Sequence, residues 1–315
     1  MSAETVVRAL SSAPEILEGI RSGLYNVWGG VVRVSKGHDG AGRIVGHLQF
    51  PGNGEQASDA ISRLQQTLSG SGGLQESMGV LQNLQHANLA LSGLNLAVSV
   101  AGFAIVCKKL NGISDQLGVQ SEKLEQLLEI AVDAKAREEL RDTARFRASL
   151  KTVRQFSELG DIAGLKSQVA NLHEQYELTK LTLSRTTADV TRQGFLESLD
   201  VIRSLQERMM YLGFLQSHVQ QRTGATQFAV ETLRELQKDW LEINTVFVET
   251  IAANQAWVEE LKQESADNIV SLLQYRKEVS PAIEYQASLL EFTAGNEKAT
   301  QSLNDDVSEI RFLAA

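Results

Sequence analysis

Proline is missing from a very long stretch of this chain, and that absence constrains the fold more than any motif does. The three prolines stand at positions 14, 51 and 281, so Gly52–Ser280 contains none. A proline inside a helix costs about 3 kcal/mol, because it removes a backbone hydrogen bond and its ring clashes with the preceding turn. The stretch therefore predicts long, uninterrupted helices. Since a straight helix of 80 residues is about 120 Å long, we expect an elongated rod.

The apolar residues of this stretch recur at helical spacing, which predicts a mainly α protein built as an elongated, coiled-coil-like antiparallel bundle. One helical pattern starts at Leu74 and shows no strong stop before Gly160. A further helix is predicted over 165–222, and the next is expected to end at Pro281. Two short helices, 282–293 and 297–312, are predicted to complete the chain.

Heptad seams and turn signals support the helical prediction. The first seam has alternating steps of three and four: Leu110, Ile113, Leu117, Gln120, Leu124, Leu127, Ala131 and Ala134. A second seam has the same spacing: Leu233, Leu236, Trp240, Ile243, Phe247, Thr250, Asn254, Trp257 and Leu261. Polar residues on such seams specify register, the role expected of Gln120 and Asn254. The sequence Glu158–Leu165 predicts a turn between helices, with Asp161 as the N-cap of the second.

The N-terminal residues have a different character. A short helical pattern over 3–24, broken near Ser11–Pro14, precedes two β-branched runs, Val31–Val34 and Ile44–Phe50. These runs predict a small β-hairpin with its turn at Asp39–Gly40. A short helix is predicted at 55–69. We therefore divide the chain into an N-terminal unit (1–70), an apolar helical segment (71–112) and a long-helix bundle with short C-terminal helices (113–315).

The apolar segment is the candidate functional element. Nineteen residues from Leu89 to Cys107 carry no charge and are followed at once by Lys108 and Lys109, and about 20 apolar residues are needed to cross a hydrocarbon core. The predicted membrane-contact residues are Leu89, Leu91, Leu94, Leu96, Val98, Val100, Phe103, Ile105 and Val106. A ridge of small residues, Gly93, Ala97 and Ala101, is predicted to contact another helix.

Polar residues inside the run, such as Asn95 and Ser99, must be satisfied in lipid and argue against a permanent span. Three interpretations stay open: insertion into a bilayer, a buried helix in a soluble bundle, and an oligomer interface. Lysine and arginine occur on both sides of the run, so its topology is unspecified. This pattern favours a protein that is soluble first and inserts later. The alternative is a soluble coiled-coil scaffold or adaptor.

The long helices and single apolar segment, from about Leu74 to Val279, resemble the α-helical pore-forming toxins of the cytolysin A and Hbl type. The resemblance implies a hydrophobic segment that folds away in the soluble form and enters the membrane on assembly. The chain departs from that family by placing a hairpin and a short helix before the apolar run. The combination of "GGVVRV", "GRIVGHL" and "NLAVSVAGFAIVCKKLN" is also similar to uncharacterised bacterial proteins.

Composition and scattered polar residues exclude several functions. A net charge of −9 argues against nucleic acid as a partner. The five histidines are dispersed, and we expect neither catalytic residues, nor a cofactor, nor a metal site, although His38 and His47 share the hairpin. One cysteine and a start without signal-peptide features lead us to expect cytoplasmic synthesis, with membrane association or leaderless export as further possibilities. The expected partners are a bilayer and a second copy of the chain or another helical protein.

Overall fold

Helices dominate the part of the chain that the structure describes, and a small antiparallel sheet accompanies them. This computed structural model describes residues 7–51, 56, 59–60, 62–64, 134–188, 198–253, 263–294 and 309–314. The segment predicted as a short helix at 55–69 is helical at each of its described positions.

Both ends of the described chain contribute to one sheet. Its strands are β1 (Val7–Ala9), β2 (Tyr25–Trp28), β3 (Val31–Val34), β4 (Ile44–Gln49) and β5 (Arg311–Ala314). The strand order is β1-β5-β4-β3-β2, and every neighbouring pair is antiparallel. The strand β5 lies between β1 and β4. The five-stranded sheet therefore forms in full only when residues about 300 positions apart in the sequence pair.

The pairing of β3 with β4 matches the two runs that the sequence identifies, and His47 is the register partner of Val31. The other strands correct the prediction. In the helical pattern predicted over 3–24, Val7–Ala9 is instead the strand β1. The break predicted near Ser11–Pro14 is present: a 3-10 turn, Leu10–Ser12, precedes helix α1 (Pro14–Arg21). The end of the predicted helix over 297–312 is wrong, because Arg311 and Phe312 belong to β5. Both misassigned segments are short strands whose partners are remote in sequence.

In the described ranges, five long helices follow α1. They are α2 (Ala134–Leu159), α3 (Ile162–Ala188), α4 (Leu199–Arg222), α5 (Thr226–Ala253) and α6 (Gln263–Ala294). Gly160 has a positive φ of 68° at the end of α2, and the Asp161 carboxylate accepts a hydrogen bond from the Gly164 N–H at 2.8 Å. The predicted turn and N-cap are therefore confirmed.

The helices run up and down in the order of the sequence. His173 meets Gln216 across α3 and α4, and Gln206 meets Asn244 across α4 and α5, as expected for antiparallel neighbours. The single helix predicted over 165–222 is therefore wrong, because the chain reverses between α3 and α4 and each half packs on the other. By contrast, Tyr176 contacts Asp239 and Thr187 contacts Thr250, so α3 and α5 are parallel.

The predicted seam of α5 is confirmed as core. Leu233, Leu236 and Phe247 have no exposed surface, and Trp240 is 1% exposed. The equivalent face of α4 is buried as well, through Leu199, Ile202, Leu205, Met209 and Leu212. Spacing of three and four residues places the side chains of each set on one face of its helix.

Proline 281 does not end a helix, contrary to the prediction. It lies inside α6, which continues for thirteen residues to Ala294. Beyond it, Ala282, Ile283 and Leu290 are at most 1% exposed. The burial of these side chains, worth about 1.5–3 kcal/mol for each large aliphatic residue, offsets the cost of the proline.

Candidate functional site at the joint between the sheet and helix α6

The second half of α6 packs on β3 and β4, and we call this contact the sheet–helix joint. Four α6 residues at the helical positions i, i+3, i+4 and i+7 face the sheet: Pro281, Glu284, Tyr285 and Ser288. The approach is so close that a Cβ on Gly29 would lie 2.3 Å from the Pro281 carbonyl oxygen. Sheet and helix thus touch with backbone contact, and only glycine fits there.

Tyr285 is the central contact of the joint. Its hydroxyl donates a 2.7 Å hydrogen bond to the Leu48 carbonyl of β4, and its ring is 1% exposed. The Phe50 ring lies edge-on to it, with centroids 6.3 Å apart. Burial raises the pKa of Tyr285, so the hydroxyl keeps the proton that this bond requires.

Two ion pairs flank this contact. Arg33 of β3 pairs with Glu284 of α6. Arg234 of α5 holds Glu291 of α6 with two parallel hydrogen bonds, the Nε–Oε1 bond measuring 2.7 Å. The pKa of Arg234 is raised, chiefly by its hydrogen bond to Glu291. The two acidic residues of α6 near the joint are thus already paired with arginines.

His47 is the buried titratable group of the joint. It is 1% exposed, its Nε2 lies 2.8 Å from the Ser288 Oγ, and its ring is 5.2 Å from that of Phe292. Burial, assisted by the Arg33 charge and opposed by Glu291, lowers the pKa of His47 from 6.5 to about 4. The imidazole is therefore neutral at pH 7.

The distance between His47 and Ser288 is one that a nucleophile and its base adopt in hydrolases. However, Ser288 is 3% exposed and His47 1%, so a substrate cannot reach either group in this conformation. The second imidazole nitrogen, Nδ1, is buried and meets no hydrogen-bond partner in the described part of the chain, so no acid orients the ring. The arrangement can hold a neutral imidazole between sheet and helix.

A second polar cluster joins α3 to α5. The Tyr176 hydroxyl donates to Asp239 at 2.9 Å, and the Lys180 ammonium lies 2.9 Å from Glu177 and 3.1 Å from Asp239. Burial alone would lower the pKa of Lys180. Its hydrogen bonds to Glu177 and Asp239 outweigh that effect, so the pKa of Lys180 is raised. The cluster fixes how the two parallel helices are aligned along their length.

A buried polar pair that the sequence did not identify joins α4 to α5. Gln206 has no exposed surface and donates to the Asn244 side-chain oxygen at 3.1 Å, while the Asn244 amide donates to the Trp240 carbonyl at 2.7 Å. This is the register-setting role predicted for Asn254, which lies outside the described residues. Gln206 directly follows Leu205, which belongs to the buried face of α4. A polar residue next to that face was the signal in the sequence that could have identified it.

One open pocket of about 130 Å³ lies among α2, α3 and α4. Two arginines, Arg145 and Arg208, and two acids, Asp142 and Glu174, are among its lining residues. The guanidinium of Arg208 also donates to Thr143 at 3.0 Å. Because two acidic and two basic side chains line the pocket, their charges balance. The pocket therefore favours neither anionic nor cationic ligands.

The residues predicted as functional from the sequence lie elsewhere in the chain. The predicted membrane-contact residues Leu89, Leu91, Leu94, Leu96, Val98, Val100, Phe103, Ile105 and Val106 lie outside the described residues, as do Gly93, Ala97, Ala101, Gln120, Asn254 and Trp257. Of the hairpin histidines, His38 is exposed and His47 is buried in the joint. Two histidines on one hairpin thus have opposite environments.

Within the described ranges, no helix combines the length and hydropathy needed to cross a membrane. The same ranges contain no group of three histidine, cysteine, aspartate or glutamate side chains arranged to hold a metal. No protein-family model, curated protein or solved structure matches the chain.

Proposed function

We propose that this chain is a membrane-active helical protein. In a soluble form the helices pack as a bundle, and on contact with a bilayer the segment Leu89–Cys107 enters the hydrocarbon core while the helices assemble with further copies. The proposal includes an elongated shape: helices of 24 to 32 residues are about 36–48 Å long at 1.5 Å per residue. It places synthesis in the cytoplasm and action at a membrane.

The observation that supports this proposal is the way in which α3, α4 and α5 pack. Each of the three helices contacts the other two. Leu172 of α3, Leu212 of α4 and Leu236 of α5 have no exposed surface. Three helices in mutual contact leave no space for a further helix along their common axis. This packing supports our proposal of a role for Leu89–Cys107 other than as the central helix among these three.

The sequence supplies the second argument. Leu89–Cys107 is uncharged over nineteen residues and ends at two lysines, a composition suited to a hydrocarbon core with a charged boundary. Asn95 and Ser99 make the run marginal, because each polar group needs a partner in lipid. A marginal run suits conditional entry accompanied by contacts between helices.

A second candidate function, a soluble scaffold that binds a helical partner, is favoured by a specific observation on α3. Leu178 and Leu181 are 42% and 60% exposed, and their spacing of three places them on one face of the helix. Such a face fits a partner helix. The scaffold function predicts that the chain binds a partner helix in the absence of lipid. This prediction distinguishes the scaffold from the membrane-active protein.

Liposome flotation of the purified chain tests the proposal. Val98→Glu and Ile105→Glu place a charge in the apolar run, which costs about 2.5–3.5 kcal/mol or more at a membrane centre. The matched control is Val270→Glu, which adds the same charge at a helix position that is 59% exposed. We expect the wild type and the control to float and both run variants to remain in the dense fraction.

Equal flotation of all four proteins would contradict the proposal, as would flotation of none. Dye release from the same liposomes, with mass photometry beside it, then shows whether entry opens the bilayer and whether copies assemble. Assembly without lipid, abolished by Leu181→Glu, would favour the scaffold.

A further inference from the structure

The sheet–helix joint contains a buried histidine whose surroundings favour its neutral form. The register of the sheet places His47 between Val31 of β3 and Leu313 of β5, and α6 covers it with Ser288 and Phe292. A second proton would make both ring nitrogens donors. The Ser288 hydroxyl can accept from Nε2, but Nδ1 is buried and meets no acceptor in the described part of the chain.

The charged groups around His47 do not neutralise the positive charge that the second proton would add. On the sheet side, Arg33 of β3 is positive, and Arg311 of β5 is the register partner of Gln49, two residues from His47. On the helix side, Glu284 is paired with Arg33 and Glu291 with Arg234 of α5. A buried imidazolium would therefore be disfavoured by the Arg33 charge, and Glu291, the carboxylate that favours it, is already bound to Arg234. A buried charge that is poorly compensated is strongly destabilising.

We propose that the sheet–helix joint is an acid-sensitive latch, in which protonation of His47 separates the sheet from the second half of α6. The α6 side chains that would lose their contacts are Glu284, Tyr285, Ser288 and Phe292. Since α6 is also tied to α5 through Glu291, the sheet is the part that leaves. The latch is a property of the fold and does not depend on the proposed membrane activity.

The direction of the pH effect follows from the neutral state of the buried ring. The pKa of His47 is about 4 in the folded protein and 6.5 without its environment. The stability that the neutral ring contributes is complete above pH 6.5 and is lost as the pH falls towards 4. At pH 5 the shift from 6.5 to about 4 favours opening about 20-fold relative to pH 7.

Hydrogen exchange of the β4 and β5 amides at pH 7 and pH 5, corrected for intrinsic exchange rates, measures the opening of the joint. The matched variant is His47→Gln, whose amide can bond Ser288 and does not titrate. We expect the opening of the wild-type sheet to increase about 20-fold more than that of His47→Gln over this interval. An equal increase in both proteins would overturn the proposal.

A measurement on the wild type keeps the latch testable if His47→Gln fails to fold. In protein labelled with ¹³C at histidine Cε1, the His47 resonance is assigned through its contact with Phe292. We expect it to titrate well below pH 6.5, together with the loss of sheet protection. A midpoint at or above 6.5 with the sheet still protected would overturn the proposal. Flotation at pH 7 and pH 5 then shows separately whether opening promotes membrane entry.

Discussion

Removing the hydroxyl of Tyr285 tests whether the buried hydrogen bond from Tyr285 to the Leu48 carbonyl helps to hold the sheet to helix α6. In Tyr285→Phe the ring keeps its packing, and the Leu48 carbonyl loses a donor at 2.7 Å. A buried acceptor left without its partner costs about 1–3 kcal/mol. Because the ring is 1% exposed, water does not replace the hydroxyl without opening the joint. We therefore expect the free energy of unfolding to fall by about 1–2 kcal/mol.

Urea unfolding followed by far-ultraviolet circular dichroism measures this loss, with the slope against denaturant expected to stay unchanged. Tyr25→Phe is the matched control, since it removes a hydroxyl from a half-buried tyrosine of the same sheet and should change the stability by less than about 0.5 kcal/mol. Equal losses in the two variants would refute the argument that the bond to Leu48 is a specific anchor of the joint.

Three further sets of substitutions, each measured by urea unfolding, test other buried or capping groups. Gln286→Met should raise the stability by about 1–2 kcal/mol, because both amide atoms of Gln286 are buried without a hydrogen-bond partner in the described part of the chain; no gain would mean that the amide is satisfied by water. Gln206→Leu and Asn244→Leu should each destabilise the protein, while the double variant recovers at least about 1 kcal/mol of the summed loss; simple additivity would contradict their role as a pair. Asp161→Ala should cost about 1 kcal/mol by removing the cap on the Gly164 N–H, and Asp161→Asn should restore most of it.

Local signals in the sequence predicted those parts of the fold that depend on neighbours close in the chain. The seam of α5 was predictable because residues three and four apart share one face, and Trp240 is buried as that spacing requires. The Asp161 cap was predictable because the whole motif lies within a few residues. The pairing of β3 with β4 follows from two β-branched runs separated by a turn.

Remote contacts explain the parts that the sequence did not predict. The strand Arg311–Ala314 is four residues long and pairs with Val7–Ala9 and with β4, so no local pattern identifies it. Helix α6 passes Pro281 because buried contacts beyond it outweigh a local penalty. The reversal between α3 and α4 had one weak signal, Gly194, the lone glycine between Gly164 and Gly213.

The candidate site shows the same division. The sequence places His47 on the predicted hairpin, but its partner Ser288 is 241 positions away. Neither its burial nor the paired state of Glu284 and Glu291 can be inferred from spacing. Burial of a histidine in a sheet is decided by what packs over the sheet, and here that is a helix from the other end of the chain.

The environment of Cys107 provides the most direct test of membrane entry, because this residue is the only cysteine of the chain and lies at the end of the apolar run. An environment-sensitive fluorophore attached there reports polarity without further substitutions. On addition of liposomes we predict a blue-shifted emission that is quenched by lipids carrying a quencher in their acyl chains. An emission that is unchanged by liposomes and unaffected by such lipids would contradict the account.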